Sequence, residues 1–177
     1  MIKNVCIYCA SSDLIDRIYF DEAERLGVLL GQRGLNIING AGNKGLMRVV
    51  TDAVLASGGT VTGVIPEFMV QKGLLHLHLT KVIQTQTMHE RKKTMAELSD
   101  AAIALPGGYG TMEELLEIIT WRQLGLYQHP VIILNTRRYY DPLLEMLART
   151  FTEYFVREEH ARLWQVAETP EEVIEAI

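Results

Sequence analysis

The chain has 177 residues, of which 48% are apolar and 22% charged, with a formal net charge of −5. This length and composition are typical of one soluble globular domain, and we expect residues 1–177 to form a single domain. The mild acidity disfavours nucleic-acid and membrane partners, which require a basic field, but allows a small phosphorylated ligand in a locally basic pocket.

No apolar stretch approaches the roughly 20 residues of a membrane span, and the opening MIKNVCIYCASS is too short and strand-like for a signal peptide. We therefore expect a cytoplasmic protein. Cys6 and Cys9 lie three residues apart. In a helix that spacing would suggest redox chemistry, whereas in a strand it directs the side chains to opposite faces. We interpret both as buried structural cysteines, with a thiol site as the alternative.

Short β-branched runs alternate along the chain with longer amphipathic segments. The runs predict strands at 5–9, 35–39, 61–65, 81–84, 101–105 and 131–134. The amphipathic segments predict helices at 19–33, 45–57, 88–98, 112–124 and 142–156, and TPEEVIEAI predicts a short closing helix. Such alternation indicates an α/β fold, an open parallel sheet with helices on both faces.

Ligands of open parallel sheets bind beyond the carboxyl ends of the strands. Five unusual segments directly follow predicted strands, and we expect all five along one edge of the sheet. They are Ser11-Ser12, NGAGNKG, Pro66-Glu67, TMHERKK and PGGYGT.

Residues 40–45, GAGNKG, match the dinucleotide-binding pattern G-x-G-x-x-G. The pattern usually follows the first strand of its unit, but here it follows the second, and its ribose-binding acid could only be Glu67. We favour a phosphate at the helix N-terminus, bound by the N–H groups of residues 42–45 with Lys44 adding charge. A structural tight turn is the alternative.

PGGYGT forms a second glycine turn. Gly107, Gly108 and Gly110 allow positive φ and close approach of a ligand to the backbone. We expect the N–H groups of Gly110 and Thr111 to bind an anion. Two such turns suggest a ligand with one phosphate and other polar parts, or a dinucleotide.

Glu114 has a structural and a catalytic interpretation. Thr111 and Glu114 fit a capping box, as do Thr87 with Glu90 and Thr169 with Glu172. In that interpretation Glu114 only stabilises a helix end.

Arg91 favours catalysis, because it lies along the stripe of Met88, Met95 and Leu98 that we expect to be buried. A buried arginine needs an anionic partner. Glu114 lies one β-α step later, so we expect neighbouring strands to bring the two together. A structural Arg–Glu pair is the alternative. Lys92 is expected on a solvated flank, with phosphate binding as its alternative role.

The motifs also resemble those of a known family. PGGYGTMEE matches P-G-G-x-G-T-x-x-E, and together with MHERKKTM, TWRQLG and GLM…GGTVTGVIP it resembles the LOG (Lonely Guy) family of phosphoribohydrolases over nearly the whole chain. The resemblance implies a Rossmann-like homodimer. It also implies hydrolysis of nucleoside 5′-monophosphates, including cytokinin riboside monophosphates and AMP, to a free base and ribose 5-phosphate. Arg91 and Glu114 match the family's catalytic pair.

We expect neither a cofactor nor a metal, since no clustered His/Cys/Asp set is apparent. Similar sequences are often labelled lysine decarboxylases, but nothing here supports pyridoxal phosphate chemistry. The residues that we predict to bind the nucleotide are Ser12, Gly42, Asn43, Lys44, Gly45, Met88, Lys92, Gly107, Gly108, Tyr109, Gly110 and Thr111.

Three positions depart from the family pattern. Ala10, Ala41 and Arg48 each stand where glycine is common. We expect the Ala41 methyl group to crowd the phosphate, so the departures affect substrate preference more than reaction type.

Cleavage of a glycosidic C–N bond builds positive charge on the ribose, and a carboxylate can stabilise that charge or activate water. We assign this role to Glu114, which as the third helical residue would stay ionised in the helix dipole. Arg91 would orient the ribose or phosphate and hold Glu114. The alternatives are a dinucleotide-dependent reductase, built on residues 40–45, and a non-catalytic nucleotide-binding protein in which Glu114 is a cap.

Overall fold

The computed structural model describes residues 2–177, in which seven parallel strands form one sheet. The strands are β1 (Asn4–Tyr8), β2 (Asn36–Asn39), β3 (Thr60–Pro66), β4 (Lys81–Thr85), β5 (Ala101–Ala104), β6 (Val131–Leu134) and β7 (Gln165–Ala167). The six predicted strands are confirmed to within one residue at each end. β7 was missed because three residues are too few to show a period.

Within the described part of the chain, seven α-helices connect or follow the strands. They are α1 (Arg17–Gln32), α2 (Gly45–Ala56), α3 (Glu67–Gln71), α4 (Met88–Glu97), α5 (Tyr109–Gln123), α6 (Asp141–Thr152) and α7 (Pro170–Ala176). No helix within residues 2–177 combines the length and apolar character needed to cross a membrane.

The strand order is β4-β3-β2-β1-β5-β6-β7, so the chain runs outward from β1 in both directions. β1 pairs with β2 through Val5 and Ile37, and with β5 through Cys6 and Ala102. In doubly wound sheets, such a reversal of strand order leaves a crevice at the carboxyl ends of the central strands. The topology therefore places a crevice beyond Tyr8 and Ala104.

Each face of the sheet carries its own apolar core. On one face, α1 and α2 pack through residues such as Leu26 and Val50. On the other, α4 and α5 contribute Met95 and Leu115. Burying this apolar area stabilises the layers by about 25 cal/mol per Å². The expected Rossmann-like α/β fold, with helices on both faces, is confirmed.

The two cysteines belong to different cores. Cys6 is buried on the α4/α5 face and Cys9 on the α1/α2 face, and both are free thiols. Burial raises the pKa of Cys6 to about 12, so this thiol stays protonated at neutral pH. The interpretation of both residues as buried and structural is confirmed.

The predicted capping box at Thr111 and Glu114 does not form. Helix α5 begins three residues early, at Tyr109, with Gly108 as its cap, so Glu114 is the sixth residue of the helix. By contrast, Thr87 and Glu90 do form a capping box at α4, and the Thr169 side chain caps α7. Glu114 therefore does not cap the N-terminus of α5.

Candidate active site

A cavity of about 460 Å³ lies at the carboxyl edge of the sheet, where the topology places a crevice. Segments that follow all of the first five strands contribute to its walls. The lining residues are Cys9, Ala10, Ser11, Gly40, Gly42, Asn43, Lys44, Met47, Met69, Leu74, Met88, Arg91, Gly108, Tyr109, Gly110, Thr111, Glu113 and Glu114.

Arg91 and Glu114 form an ion pair in this cavity. The Arg91 Nη1 donates to Glu114 Oε1 at 2.8 Å, and its Nε donates to the Val64 carbonyl at 3.1 Å. The two side chains are only 6% and 12% exposed. An isolated arginine or glutamate would be very costly at this depth, so each residue requires the other.

Neighbouring strands do not bring Arg91 and Glu114 together, so that part of the sequence prediction is wrong. Strands β4 and β5, which precede Arg91 and Glu114, are separated by β3, β2 and β1. The residues still meet because α4 packs back across β3 toward the centre of the sheet. The bond from Arg91 to Val64, a β3 residue, fixes that approach.

Gly40 leaves the space that the Arg91 guanidinium occupies. A Cβ at position 40 would lie 1.8 Å from Arg91 Nη2 and 2.9 Å from its Cζ. Because that guanidinium is buried and doubly hydrogen-bonded, it has no free direction in which to retreat. The first glycine of the turn therefore serves the ion pair.

We expect Gly40→Ala to lower the free energy of unfolding by about 1–3 kcal/mol, the range for overpacking in a core. Urea unfolding followed by circular dichroism measures this change. Ala41→Gly is the matched control, because Ala41 is buried with φ at 60°. Ala41→Gly removes a buried methyl group and makes the unfolded chain more flexible, but it also relieves the strain of a left-handed backbone. We therefore expect the free energy of unfolding to change by no more than about 1 kcal/mol. Equal effects at both positions would contradict the crowding at Gly40.

The Ala41 methyl group does not reach the cavity. It is directed at β3, where a Cβ on Gly63 would lie 2.6 Å from it. The expected crowding of a phosphate by Ala41 is therefore wrong. Arg48, on α2, is half exposed, and its Nη2 lies 3.8 Å from Asp13 Oδ1.

The N–H groups of the turn at 40–45 largely have partners already. Gly42 donates to the Met47 sulfur at 2.9 Å, Asn43 to the Leu74 carbonyl at 3.1 Å, and Gly45 to Asp13 Oδ1 at 2.9 Å. A backbone N–H cannot bind a phosphate while it donates elsewhere in good geometry. The predicted phosphate cradle at residues 42–45 is corrected accordingly, since Asp13 holds the anion position at α2.

The second glycine turn has free donors. The N–H groups of Tyr109, Gly110 and Thr111 have no acceptor within residues 2–177, and Met112 is the first to donate, to Gly108. These three groups begin a helix of 15 residues, whose dipole favours an anion at this end. This turn is therefore the better anion site of the two.

Lys92 lies away from the solvated flank where the sequence predicted it. Its side chain is 8% exposed and forms ion pairs with Glu113 and, at 3.1 Å, with Glu117. Burial lowers the pKa of Lys92, but the hydrogen bonds to the two glutamates outweigh burial and leave its pKa above the ordinary value. The predicted stripe is also wrong at its ends, because Met88 and Leu98 are each 40% exposed.

Burial raises the pKa of Glu114 above its ordinary value, and the neighbouring Arg91 guanidinium opposes that rise. The expected effect of the helix dipole on Glu114 is therefore corrected. The carboxylate lies beyond the first turn of α5, where the dipole field has weakened. Arg91 is the main group that favours the ionised form of Glu114.

Four predicted nucleotide-binding residues lie outside the cavity lining. They are Ser12, Gly45, Lys92 and Gly107. The Ser12 hydroxyl accepts from the Leu14 N–H, and Gly107 leaves room for the Thr111 side chain, which lies 2.1 Å from where a Cβ would be. The other predicted residues of the set, together with Arg91 and Glu114, line the cavity.

Several lining residues were not predicted as site residues. Met69 and Leu74 come from α3 and the loop after it, and Met47 comes from α2. These apolar side chains form part of the cavity wall. A helix of five residues gives no period in the sequence, so only the position of this segment after a strand pointed to it.

Comparisons with known proteins agree with this architecture. The family described as "Possible lysine decarboxylase" matches residues 47–177. Cytokinin riboside 5′-monophosphate phosphoribohydrolase LOG of Oryza sativa subsp. japonica is 41% identical over 172 residues, covering 97% of this chain and 71% of the relative. An Arabidopsis thaliana protein of the same description is 40% identical, covering 99% of this chain and 77% of the relative.

Among solved structures, the molybdenum cofactor carrier protein of Chlamydomonas reinhardtii has a TM-score of 0.75 at 19% identity, covering 99% of this chain and 96% of that protein. At this identity the similarity concerns the fold alone.

Proposed function

The chain belongs to the LOG phosphoribohydrolase family, and from this premise we propose that it is an N-glycosyl hydrolase of nucleoside 5′-monophosphates. The products would be a free base and ribose 5-phosphate. One observation carries the proposal within this chain: a buried Arg91–Glu114 pair faces a cavity that also contains a helix N-terminus with free N–H groups.

The phosphate is assigned to the N-terminus of α5. The N–H groups of Tyr109, Gly110 and Thr111 have no acceptor within residues 2–177, and Lys44, which also lines the cavity, adds a positive charge. An anion at this position gains both hydrogen bonds and the favourable end of the helix dipole. This site holds a single phosphate and leaves the rest of the cavity for the ribose and base.

Glu114 lies one turn further along α5, on the side of the cavity where the ribose would follow the phosphate. Its carboxylate stabilises the positive charge that develops on the sugar as the C–N bond breaks. Because the surroundings are buried and the carboxylate is held by Arg91, this charge is preorganised. Arg91 in turn is fixed by the Val64 carbonyl.

The alternatives fit less well. A dinucleotide would require donors from the turn at 40–45, where the N–H groups of Gly42, Asn43 and Gly45 already have partners. A non-catalytic protein in which Glu114 caps a helix is disfavoured, because Gly108 occupies the cap position of α5.

The test is incubation of the protein with AMP and with the 5′-monophosphate of an N6-isopentenyl adenine riboside, with free base measured by chromatography. We expect base release from at least one of them. Adenosine is the matched control, since without a phosphate it should react at least about 100-fold more slowly, the scale of lost remote binding. The absence of base from every monophosphate tested would refute the proposal. Tight binding of NADPH would favour the reductase instead.

We further propose that the protein is a homodimer. Leu116 on α5, and Leu124 and Leu126 just beyond it, are 39%, 65% and 70% exposed, which supports an apolar contact with a second copy. Light scattering after gel filtration should give twice the chain mass of 20.0 kDa. Leu124→Glu should shift the protein toward the mass of one chain, and a wild-type protein at 20.0 kDa would contradict the proposal.

A further inference from the structure

Two ion-pair systems run side by side between α4 and α5. The adjacent residues Arg91 and Lys92 both extend from α4, and they divide three glutamates of α5 between them. Arg91 pairs with Glu114, whereas Lys92 pairs with Glu113 and Glu117. The mechanism uses only the first of these systems, yet Lys92 is nearly as buried as Arg91.

The division matters because two carboxylates line the same cavity. Glu113 and Glu114 are consecutive, and both contribute to its wall. Without a cation of its own, Glu113 would be a negative charge beside Glu114 and a second acceptor within the reach of Arg91. A nearby like charge favours the protonated form of a carboxyl group, and Glu113 acts on the pKa of Glu114 in this direction.

We propose that Lys92 is a positioning residue that keeps Glu113 engaged, so that Arg91 pairs with Glu114 alone. The kinetic test of this proposal, which measures kcat, rests on the proposed function. The Glu113 side chain is 57% exposed and has room to move, so its place depends on the lysine.

The other groups near Glu114 do not supply this control. Cys6 and Tyr8 on β1, and Cys9 just beyond it, have pKa values that burial raises, so these groups stay neutral. Among the charged groups near it, Arg91 and Lys92 on α4 favour the ionised form of Glu114, and Glu113 on α5 opposes it. Lys92 and Glu113 therefore act on Glu114 with opposite signs.

The experiment compares Lys92→Met, Glu113→Gln and the double variant. Lys92→Met should lower kcat about tenfold and move the acid limb of the kcat profile to higher pH, because an uncompensated Glu113 favours protonated Glu114. Glu113→Gln should retain kcat within about threefold and move the limb to lower pH. In the double variant, kcat should recover to within about threefold of Glu113→Gln, since no rival charge remains.

Recovery in the double variant separates positioning from packing. If Lys92 only held the helices together, the second substitution would restore nothing, and the proposal would be overturned. It would also be overturned if Glu113→Gln were itself inactive, because Glu113 would then take part in the chemistry. Should Lys92→Met fail to fold, Lys92→Arg must retain activity, and Glu113→Gln must still move the acid limb of the kcat profile to lower pH.

A measurement without catalysis distinguishes this proposal from the proposed function. Carbon NMR of ¹³C-labelled glutamate, with Glu114 assigned from the Glu114→Gln variant, follows the titration of that carboxyl directly. A pKa that rises in Lys92→Met and returns in the double variant supports the positioning role even in a protein that releases no base. An unchanged Glu114 pKa in all three variants overturns it.

Discussion

Glu114→Gln abolishes base release from nucleoside monophosphates while the protein remains folded; this is the largest effect that we expect. The amide keeps the size of the side chain and accepts a hydrogen bond from Arg91, but it supplies no negative charge beside the ribose. Removal of one preorganised electrostatic group typically lowers kcat about 10²–10³-fold. Steady-state release of free base, with circular dichroism to verify folding, measures the result.

Glu90→Gln is the matched control, because Glu90 is the partner in a capping box that does form, at the start of α4. That substitution should lower the free energy of unfolding by about 1 kcal/mol or less and leave kcat unchanged. If Glu114→Gln behaved in the same way, with activity intact, Glu114 would be structural and the proposed mechanism would fail.

Arg91→Ala should remove activity and also weaken the fold. It leaves the Glu114 carboxylate without its guanidinium and the Val64 carbonyl without its donor, at a site where both are shielded from water. Breaking a buried ion pair from one side typically lowers the free energy of unfolding by about 3–5 kcal/mol. Urea unfolding measures the stability, and the base-release assay measures the activity.

The double variant Arg91→Met with Glu114→Gln separates the two losses. Neither replacement carries charge, so most of the stability should return. Activity should stay absent, because the carboxylate is gone. A double variant as unstable as Arg91→Ala would show that the arginine acts through packing, and an active one would remove both residues from the mechanism.

The sequence predicted the pairing of Arg91 with Glu114 because an unpaired buried arginine is energetically costly in any topology. It could not predict Lys92, since burial of a second cation depends on two glutamates that approach from another helix. The sequence also could not predict that α5 begins at Tyr109. Gly108 and Gly110 are compatible with a loop or a helix, and only packing against the sheet decides between them.

The turn at 40–45 shows a second limit of sequence reasoning. Its glycines match an anion-binding pattern, but a pattern does not say whether the N–H groups are free. Here Asp13 and Leu74, which lie far from the turn in the chain, supply acceptors for Gly45 and Asn43. Long-range partners of this kind become visible only once the strands are assembled.

These internal partners also affect what happens when a ligand arrives. Since the N–H groups of Gly42 and Asn43 already donate to internal acceptors, the wall that these residues form needs no ordering during association. Such rigidity reduces the entropic penalty of complex formation. Work that aimed to widen ligand choice toward diphosphates would therefore have to begin by freeing the Gly45 amide from Asp13.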